Sequence, residues 1–362
     1  MPQIDPCAQR LATQHLIAPK SDKASDVVSL LGAVQAQDYA MSKWALGQRM
    51  RGATDAAIEE EINSGAILRT HVLRPTWHYV GPADIRWMLA LTGPRIKATL
   101  RHYDRDLGVE SPVIRAAQKV MSKALRDENY LTRGELAERM TKAGIRTDGT
   151  ERLARLVMHA ELDGLICNGP RRGKQFTYAL LEERVPSAKE MDREESLRSL
   201  AGTYFATRGP ATEADFAWWS GLTMADARSA IQSLGSSLQP VEISGRKHWL
   251  AAKSTMKAKS PLVRLLPNYD EFFIGLKDRS AMHRKLKSLG IQTSLGALSG
   301  HLLIIDGQIA GVWKQTLKPA EVLLKIRLLR SLAGSQQRAV ETEAGRLAAF
   351  LGLTPKLDIA NT

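Results

Sequence analysis

Apolar residues recur every three or four positions in several separated stretches of this chain, and short stretches of alternating apolar and polar residues follow them. The first spacing places side chains on one face of a helix, and the second places them on one face of a strand. Helices followed by a strand pair are therefore predicted three times, in units that begin near residues 25, 131 and 197. We interpret these units as three winged helices in tandem.

The first unit carries two glutamines at an unusual place. Ser25 or Asp26 is predicted to cap a helix that finishes near Gln35 and Gln37. Thr54 is predicted to cap the next helix of this unit. The pattern thus predicts that both carboxamides lie at a helix end or turn, where side chains can converge on a ligand.

The segment that follows, residues 66–80, is rich in β-branched and aromatic residues and contains a proline. Proline cannot donate a ladder hydrogen bond, so an edge strand or wing is predicted rather than a central strand. If the strand is regular, Arg74, Thr76 and His78 lie on one face and His71 lies on the other.

The second unit has a capping signal and a basic turn. Thr132 followed by Glu135 predicts a capping box at the start of a helix. Residues 165–180 are predicted to form a β-hairpin with a basic tip. Such a wing commonly contacts phosphate, and a merely solvated turn is the alternative. The cations at this tip are Arg171, Arg172 and Lys174.

The third unit and the tail complete an α+β fold. Thr212 is predicted to cap a helix with Phe216 and Trp218 inward, and a hairpin is predicted to turn at Ser244-Gly245. The tail has strand-like runs, a hairpin signal at Asp306-Gly307 and a final amphipathic helix. The predicted domains are residues 1–120, 121–190, 191–256 and a C-terminal β-rich module, 257–362.

Charge and cysteine content narrow the class of protein. The chain has 362 residues, with 51 Lys and Arg against 38 Asp and Glu, a net charge of +13. This excess favours a polyanionic partner, most often nucleic acid. Cys7 and Cys167 form neither a disulfide framework nor a zinc motif. With no signal peptide pattern and no apolar run long enough for a membrane span, we expect a cytoplasmic protein.

Gln35-Ala36-Gln37 is the strongest candidate for chemistry. Each glutamine offers two donors and two acceptors without charge, so a pair can hold a water or a base edge in a fixed orientation. The alternative is that both side chains are exposed at a helix end or satisfy backbone groups. Asp38 is a further candidate for charge stabilisation, with a structural role at a helix end as its alternative.

Four blocks of the sequence resemble one known family in the same order. They are VQAQDYAMSKWALGQR, THVLRPTWHYV, LLPNYDEFFIGLKDR and LLIIDGQIAGVWK. Together they resemble the winged-helix DNA glycosylases often called AlkZ-like or YcaQ-like. Gln35 and Gln37 match the Gln-apolar-Gln form of the family's catalytic motif, whereas Asn268 stands where many relatives have proline.

The resemblance implies an activity, a fold and a partner. Members release alkylated purines from DNA, including purines in interstrand crosslinks, and the tail is implied to be a small β-barrel. An N-alkylated purine is cationic, so its glycosidic bond is already weakened. The enzyme then has to stabilise an oxocarbenium-like sugar and position a water. The implied partner is alkylated or crosslinked double-stranded DNA, and no metal or cofactor is implied. The sequence leaves the oligomeric state open, and we expect a monomer.

Residue roles follow from these two lines of reasoning. Gln35 and Gln37 are predicted to be catalytic, and acidic residues near 270 and 278 are predicted to brace a basic DNA surface. The candidate site-lining residues are Asp38, His71, Arg74, Thr76 and His78. The candidate DNA-binding residues are Arg171, Arg172, Lys174, Lys277, Arg279 and Lys314. Trp313 is expected to pack in the core.

A second class of function fits the same pattern. Three winged helices with a net positive charge are compatible with a non-catalytic DNA-binding protein, such as a regulator or lesion binder. A regulator would usually have a single reading head plus a ligand or dimerisation domain. The matching blocks lie outside the predicted recognition helices, and this favours catalysis.

Overall fold

A computed structural model describes residues 4–187, 190–251, 258–291 and 300–361. The helices are α1 Pro6–Thr13, α2 Ala24–Leu31, α3 Tyr39–Gly47, α4 Asp55–Ser64, α5 Pro82–Asp106, α6 Ser111–Ala124, α7 Arg133–Lys142, α8 Thr150–Leu162, α9 Leu181–Arg184, α10 Arg193–Arg208, α11 Glu213–Ser220, α12 Met224–Leu234, α13 Glu271–Ile274, α14 Arg284–Ser288 and α15 Gly334–Leu351. The strands are β1 Ala33–Gln35, β2 Leu68–His71, β3 Trp77–Val80, β4 Leu131–Thr132, β5 Ile166–Asn168, β6 Thr177–Leu180, β7 Gln239–Ile243, β8 Arg246–Leu250, β9 Val263–Leu266, β10 His301–Ile305, β11 Gln308–Leu317, β12 Glu321–Leu328 and β13 Thr354–Asn361.

One order of elements recurs along the chain. In the first unit it is α2-β1-α3-α4-β2-β3, with sheet order β1-β3-β2. The second unit, α6-β4-α7-α8-β5-β6, has sheet order β4-β6-β5. The third unit has α10, α11 and α12 followed by the hairpin β7-β8. Where the other two units have a first strand, this unit has a single β-bridge between Ala211 and Trp249 of β8. The helix-then-hairpin order predicted from hydrophobic spacing is therefore present.

The cap predicted at Ser25 or Asp26 is wrong. Helix α2 already begins at Ala24, so both residues lie inside its first turn. The carboxylate of Glu61 accepts from the backbone N–H groups of Ala24 and Ser25 at 2.7 and 2.8 Å, so a remote side chain satisfies the donors that a local cap would bind.

The other predicted helix caps are confirmed, and one inward face is corrected. Thr132 and Glu135 form the capping box of α7, and Thr212 caps α11. In α11 the inward residues are Phe216 and Trp219, both fully buried, whereas Trp218 is 40% exposed. The prediction for Trp218 is wrong because a spacing of three residues, 216 to 219, matches one helical face better than a spacing of two.

The setting of the glutamine motif also differs from the prediction. Helix α2 ends at Leu31, and Gly32 follows with φ of 75°, a conformation that glycine adopts without strain. The chain then extends as β1, so Gln35 ends a strand rather than a helix. In the segment predicted to be an edge strand, β2 is an edge of its sheet, whereas β3 is central. A central position is possible because Pro75 lies in the turn between β2 and β3 and removes no ladder bond.

The C-terminal segment forms a mixed sheet of order β13-β12-β11-β10-β9, in which β12 and β13 are parallel. Within the described residues β13 and β9 are its two edges, so the sheet is open where the resemblance implied a barrel. Its core is shared with the first unit. The indoles of Trp44 and Trp313 donate to the carbonyls of Leu265 and Leu266 at 2.8 and 3.0 Å. Trp313 is buried as predicted, and the first and last segments pack as one body.

In the part of the chain that the structure describes, no helix is both long and apolar enough to cross a membrane.

Candidate active site and basic cleft

Gln35 is held at both its backbone and its side chain. It ends β1 opposite His78 on β3, and its side chain is only 5% exposed. The backbone N–H of Gln35 donates to Oε1 of Glu271 at 2.9 Å. Its side-chain Oε1 accepts a hydrogen bond from Nη2 of Arg74 at 2.8 Å. The carboxamide oxygen is therefore turned toward a cation.

Arg74 lies in the turn at residues 72–76, and the third unit packs against this turn. A Cβ added at Gly221 would lie 2.1 Å from the carbonyl oxygen of Leu73, so the two backbones touch here. The guanidinium carbon of Arg74 lies 5.4 Å from the centre of the Trp218 ring. Burial lowers the pKa of Arg74, yet an arginine starts so high that it stays charged at neutral pH.

Glu271 anchors the motif to the interior. Besides the backbone N–H of the motif, it accepts from the guanidinium of Arg208 at 2.6 Å and from the indole of Trp219 at 2.9 Å. The adjacent Asp270 accepts two hydrogen bonds from Arg49 at 2.8 and 2.9 Å. Asp270 and Glu271 are fully buried, so the prediction that they brace a DNA surface is wrong. They pair with interior arginines because a buried carboxylate requires a counter-charge.

A row of polar side chains crosses the sheet beside Gln35. His78 on β3 lies directly between Gln35 on β1 and Thr70 on β2. Nδ1 of His78 lies 2.9 Å from the carbonyl oxygen of Thr76. Among the described residues, His78 Nε2, Thr76 Oγ1 and Thr70 Oγ1 are buried without a hydrogen-bond partner. Buried polar atoms are normally paired, so this row of unpaired atoms beside Gln35 is unusual.

His78 is an uncharged group. Burial, together with the nearby cation of Arg74, holds the pKa of His78 well below its usual value of 6.5. In the neutral ring only one nitrogen carries a proton, and a carbonyl oxygen can only accept. Nδ1–H therefore donates to Thr76, which leaves Nε2 as an acceptor.

His71 belongs to the opposite side of the sheet. Its Nδ1 forms a very short contact with the carboxylate of Glu161, and its ring lies 4.4 Å from that of Trp77. It is thus tied to helix α8 of the second unit and does not join Gln35. The predicted division of faces is found for His71 and His78, although the segment is not one regular strand because a turn occupies residues 72–76.

Gln37 opens into a cleft of about 540 Å³ between the first and second units. Asp38 beside it accepts from the backbone N–H of Met41 at 3.2 Å and caps α3, which is the structural alternative weighed for this residue. Side chains that line the cleft with Gln37 include Tyr39, Arg69, Trp77, Arg133, Lys174 and Phe176. No Asp or Glu is among its described lining residues, so the cleft is cationic and aromatic.

Arg69 is the central cation of this cleft, and the sequence prediction missed it. Its guanidinium carbon lies 4.5 Å from the ring of Trp77 and 4.9 Å from that of Phe176. It also donates to the carbonyl of Ala36, inside the glutamine motif, at 3.1 and 3.2 Å. Arg133 lies over the same indole at 5.8 Å. A charged residue within an otherwise apolar strand could have marked Arg69 as a candidate site residue. No sequence feature marked Phe176.

Arg171 fastens the wing of the second unit to the first. Its backbone N–H donates to the side chain of Asn63 at 2.9 Å. Its guanidinium pairs with Glu59 at 3.4 Å and lies 5.0 Å from the ring of Tyr39. This arginine is half-buried in contacts within the protein, which is a structural role.

The other two wing cations are exposed. Arg172 pairs with Glu135 at 2.7 Å and donates to the carbonyl of Tyr130 at 2.6 Å. Lys174 is exposed and lines the cleft beside Gln37. Of the three, Lys174 is best placed to meet a phosphate.

The three remaining candidate cations lie on other parts of the surface. Lys277 lines a separate cleft of about 840 Å³, where Asp278 pairs with Arg246 at 3.0 Å. Arg279 lies 4.5 Å from a phenylalanine ring of α13, and Lys314 is exposed on β11. The structure does not bring these residues to the Gln37 cleft. Other cations around the larger cleft are Arg10, Arg284 and Lys287.

Comparisons with known proteins show similarity to DNA glycosylases. A family model described as "DNA glycosylase AlkZ-like" matches residues 28–350. An interstrand DNA cross-link repair glycosylase from Streptomyces sahachiroi is 24% identical over 368 residues, covering 96% of each chain. The solved structure of the S. sahachiroi DNA glycosylase AlkZ has a TM-score of 0.79 and 23% identity, with 98% of each chain covered. The structural match shows a shared mixed α+β fold.

Proposed function

Because this chain belongs to the AlkZ-like DNA glycosylase family, we propose that it excises N-alkylated purines from double-stranded DNA with a water positioned by Gln35 and Gln37. As a DNA glycosylase it is a hydrolase of N-glycosyl bonds. The observation that carries the proposal is the contrast between the two glutamines. Gln35 is fixed by Arg74 and Glu271, whereas Gln37 faces an open cationic cleft.

The proposed reaction needs little acid–base chemistry. The water oxygen bonds to C1′ of the sugar while the C1′–N9 bond breaks, and the bonding pair leaves with the purine and neutralises its charge. The surplus proton of the water passes to solvent. Neutral carboxamides suit this task because they orient the water without a tuned carboxylate. The absence of Asp and Glu from the described lining of the Gln37 cleft supports this choice.

DNA is proposed to cross the cationic side of the first two units. Arg69, Arg133 and Lys174 supply positive charge beside Gln37 and suit phosphate oxygens. The recurring element order supports three tandem winged helices, and we propose that the protein acts as a monomer. Interstrand crosslinks are proposed as substrates because the curated relative is named for their repair. Bacterial-type cytoplasm, where the nucleoid lies, is the proposed location.

Base release from two duplexes tests the proposal, one with an N7-alkylguanine and one with a nitrogen-mustard crosslink. Wild type is compared with Gln35→Ala and Gln37→Ala. Gln232→Ala is the matched control, since this glutamine is exposed on α12. We expect both motif variants to release base far more slowly than wild type, at a residual rate that single-turnover assays still measure, while DNA affinity persists and the control behaves like wild type. Tight binding by wild type without release from either duplex would instead favour the non-catalytic DNA-binding protein.

A further inference from the structure

The side chain of Arg74 determines which end of the Gln35 carboxamide is free. Gln35 is buried, and its Oε1 accepts from Nη2 of Arg74 at 2.8 Å. A guanidinium has only donors and does not lose its proton in a protein. Rotating the amide by half a turn would bring N–H groups against this cation, so the flipped orientation is disfavoured. The NH₂ group of Gln35 therefore points away from Arg74 and can donate to another group.

We propose that Arg74 is a positioning residue that makes Gln35 a hydrogen-bond donor in the reaction. The inference rests on the proposed function and deepens it. Gln35 then holds the water or the sugar oxygen through its NH₂ group. The acceptor for a hydrogen of the attacking water is Oε1 of Gln37, which has no such cation fixed to it. The two glutamines therefore have different roles.

The third unit is part of this arrangement. Gly221, at the turn between α11 and α12, touches the carbonyl of Leu73 beside Arg74. The indole of Trp218 covers the guanidinium at 5.4 Å, while its own N–H points to the carbonyl of Ile274 at 3.4 Å. The orientation of a side chain in the first unit is thus set by residues about 140 positions later in the sequence.

A double-mutant cycle in single-turnover base release tests this role. Arg74→Met is expected to slow release by up to about 100-fold, the size typical for a small misplacement of a reacting group. DNA affinity should stay unchanged. In a Gln35→Ala background the same substitution should have little further effect, since there is no carboxamide left to orient. Arg74→Lys should rescue part of the rate because it restores one charged donor.

Arg184→Met is the matched control. Arg184 is likewise a half-buried arginine, but it donates to the carbonyls of Ile62 and Asn63 at the end of α4. Its replacement should lower stability without the coupling to Gln35. Equal rate losses from Arg74→Met in the wild-type and Gln35→Ala backgrounds would show a merely structural role and overturn the inference, as would full release by Arg74→Met.

A second cycle is independent of activity and separates the two proposals. Gln35→Glu should be tolerated beside Arg74, because the carboxylate gains a charged partner, but should strongly lower the unfolding midpoint in Arg74→Met. If wild type releases no base, the proposed function fails. The orientation of Gln35 can still be tested by this cycle. If the midpoint shifts of Gln35→Glu and Arg74→Met simply add in the double variant, Arg74 does not orient Gln35, whatever the activity.

Discussion

At the residue scale, the site depends on polar groups that are kept neutral or fixed by burial. His78 illustrates this, since it lies between Gln35 and Thr70 with no exposed surface. Charging its imidazole would place a second cation next to Arg74 in a medium that solvates ions poorly, which is why its pKa is lowered. His78 is therefore available as an acceptor but not as an acid.

This neutrality predicts a pH dependence of stability. Folding lowers the pKa of His78 below its ordinary value of 6.5. Below about pH 6.5 the unfolded chain therefore binds a proton at His78 that the folded protein does not bind. The stabilising contribution is complete above this pH and is lost as the pH falls below it, by up to about 1.4 kcal/mol per pH unit. Thermal midpoints between pH 7.5 and 5.5 should fall more steeply for wild type than for His78→Gln.

Other groups keep part of this slope. The pKa values of His15, His283 and His301 are also lowered by burial, so His78→Gln should flatten the curve without removing it. Identical curves for the two proteins would mean that His78 is charged or solvated in the folded state. In the same range the rate of base release should show no inflection from His78.

At the element scale, short polar signals define where the helices begin. Helix α12 starts after Thr223, whose hydroxyl accepts from the backbone of Asp226 at 3.1 Å while Asp226 binds back to the backbone of Thr223 at 3.2 Å. Such a box satisfies donors that the first turn of a helix leaves open.

Thr223→Ala is predicted to cost about 1 kcal/mol of unfolding free energy because it removes the cap. Thr223→Ser is the matched control, as serine keeps the hydroxyl. Denaturant midpoints at constant slope measure the difference. An equal midpoint for the alanine variant and wild type would contradict a role for this cap.

The wing of the second unit offers another prediction at this scale. Lys174 is exposed beside the cleft, whereas Arg171 is engaged with Glu59 and Asn63. If Lys174 contacts one phosphate, Lys174→Gln should reduce the slope of log affinity against log salt by about 0.9. Lys318→Gln is the control, since Lys318 pairs with Glu321 on the C-terminal module at 2.7 Å. An unchanged slope for Lys174→Gln would remove this residue from the interface.

At the scale of the whole molecule, separate units meet at the glutamine motif. Glu271 from the C-terminal segment binds the backbone of Gln35, and Arg208 from the third unit joins that carboxylate to the carbonyls of Leu31 and Ala33. The buried charges compensate one another, so they hold the motif only when all the units are assembled.

Gly221→Ala is predicted to disturb the motif from a distance. Its methyl group would lie 2.1 Å from the carbonyl oxygen of Leu73, so the turn that carries Arg74 must shift. Gly235→Ala is the control, because this glycine also has positive φ but no atom within 4 Å of an added Cβ. Both variants carry backbone strain, yet only Gly221→Ala should slow base release. Equal rates in the two would contradict a link between the third unit and Arg74.

The local features of this protein can be predicted from residues that are close together in the sequence. Hydrophobic spacing, capping pairs and turn residues depend on neighbours a few positions away, so the recurring helix and hairpin order and the caps at Thr132 and Thr212 could be predicted. The motif Gln35-Ala36-Gln37 and the cations of the wing were also visible, and the resemblance of four blocks indicated the family.

The roles of these residues depend on contacts between distant parts of the chain. A strand paired with β3 replaced the predicted helix end at Gln35, because pairing depends on residues 43 positions away. Asp270 and Glu271 bind interior arginines, and Arg171 fastens two units, because burial decides whether a charge meets water or a partner. Arg69, Arg74 and Phe176 gain their positions from contacts between units, and no periodicity along the chain encodes such contacts.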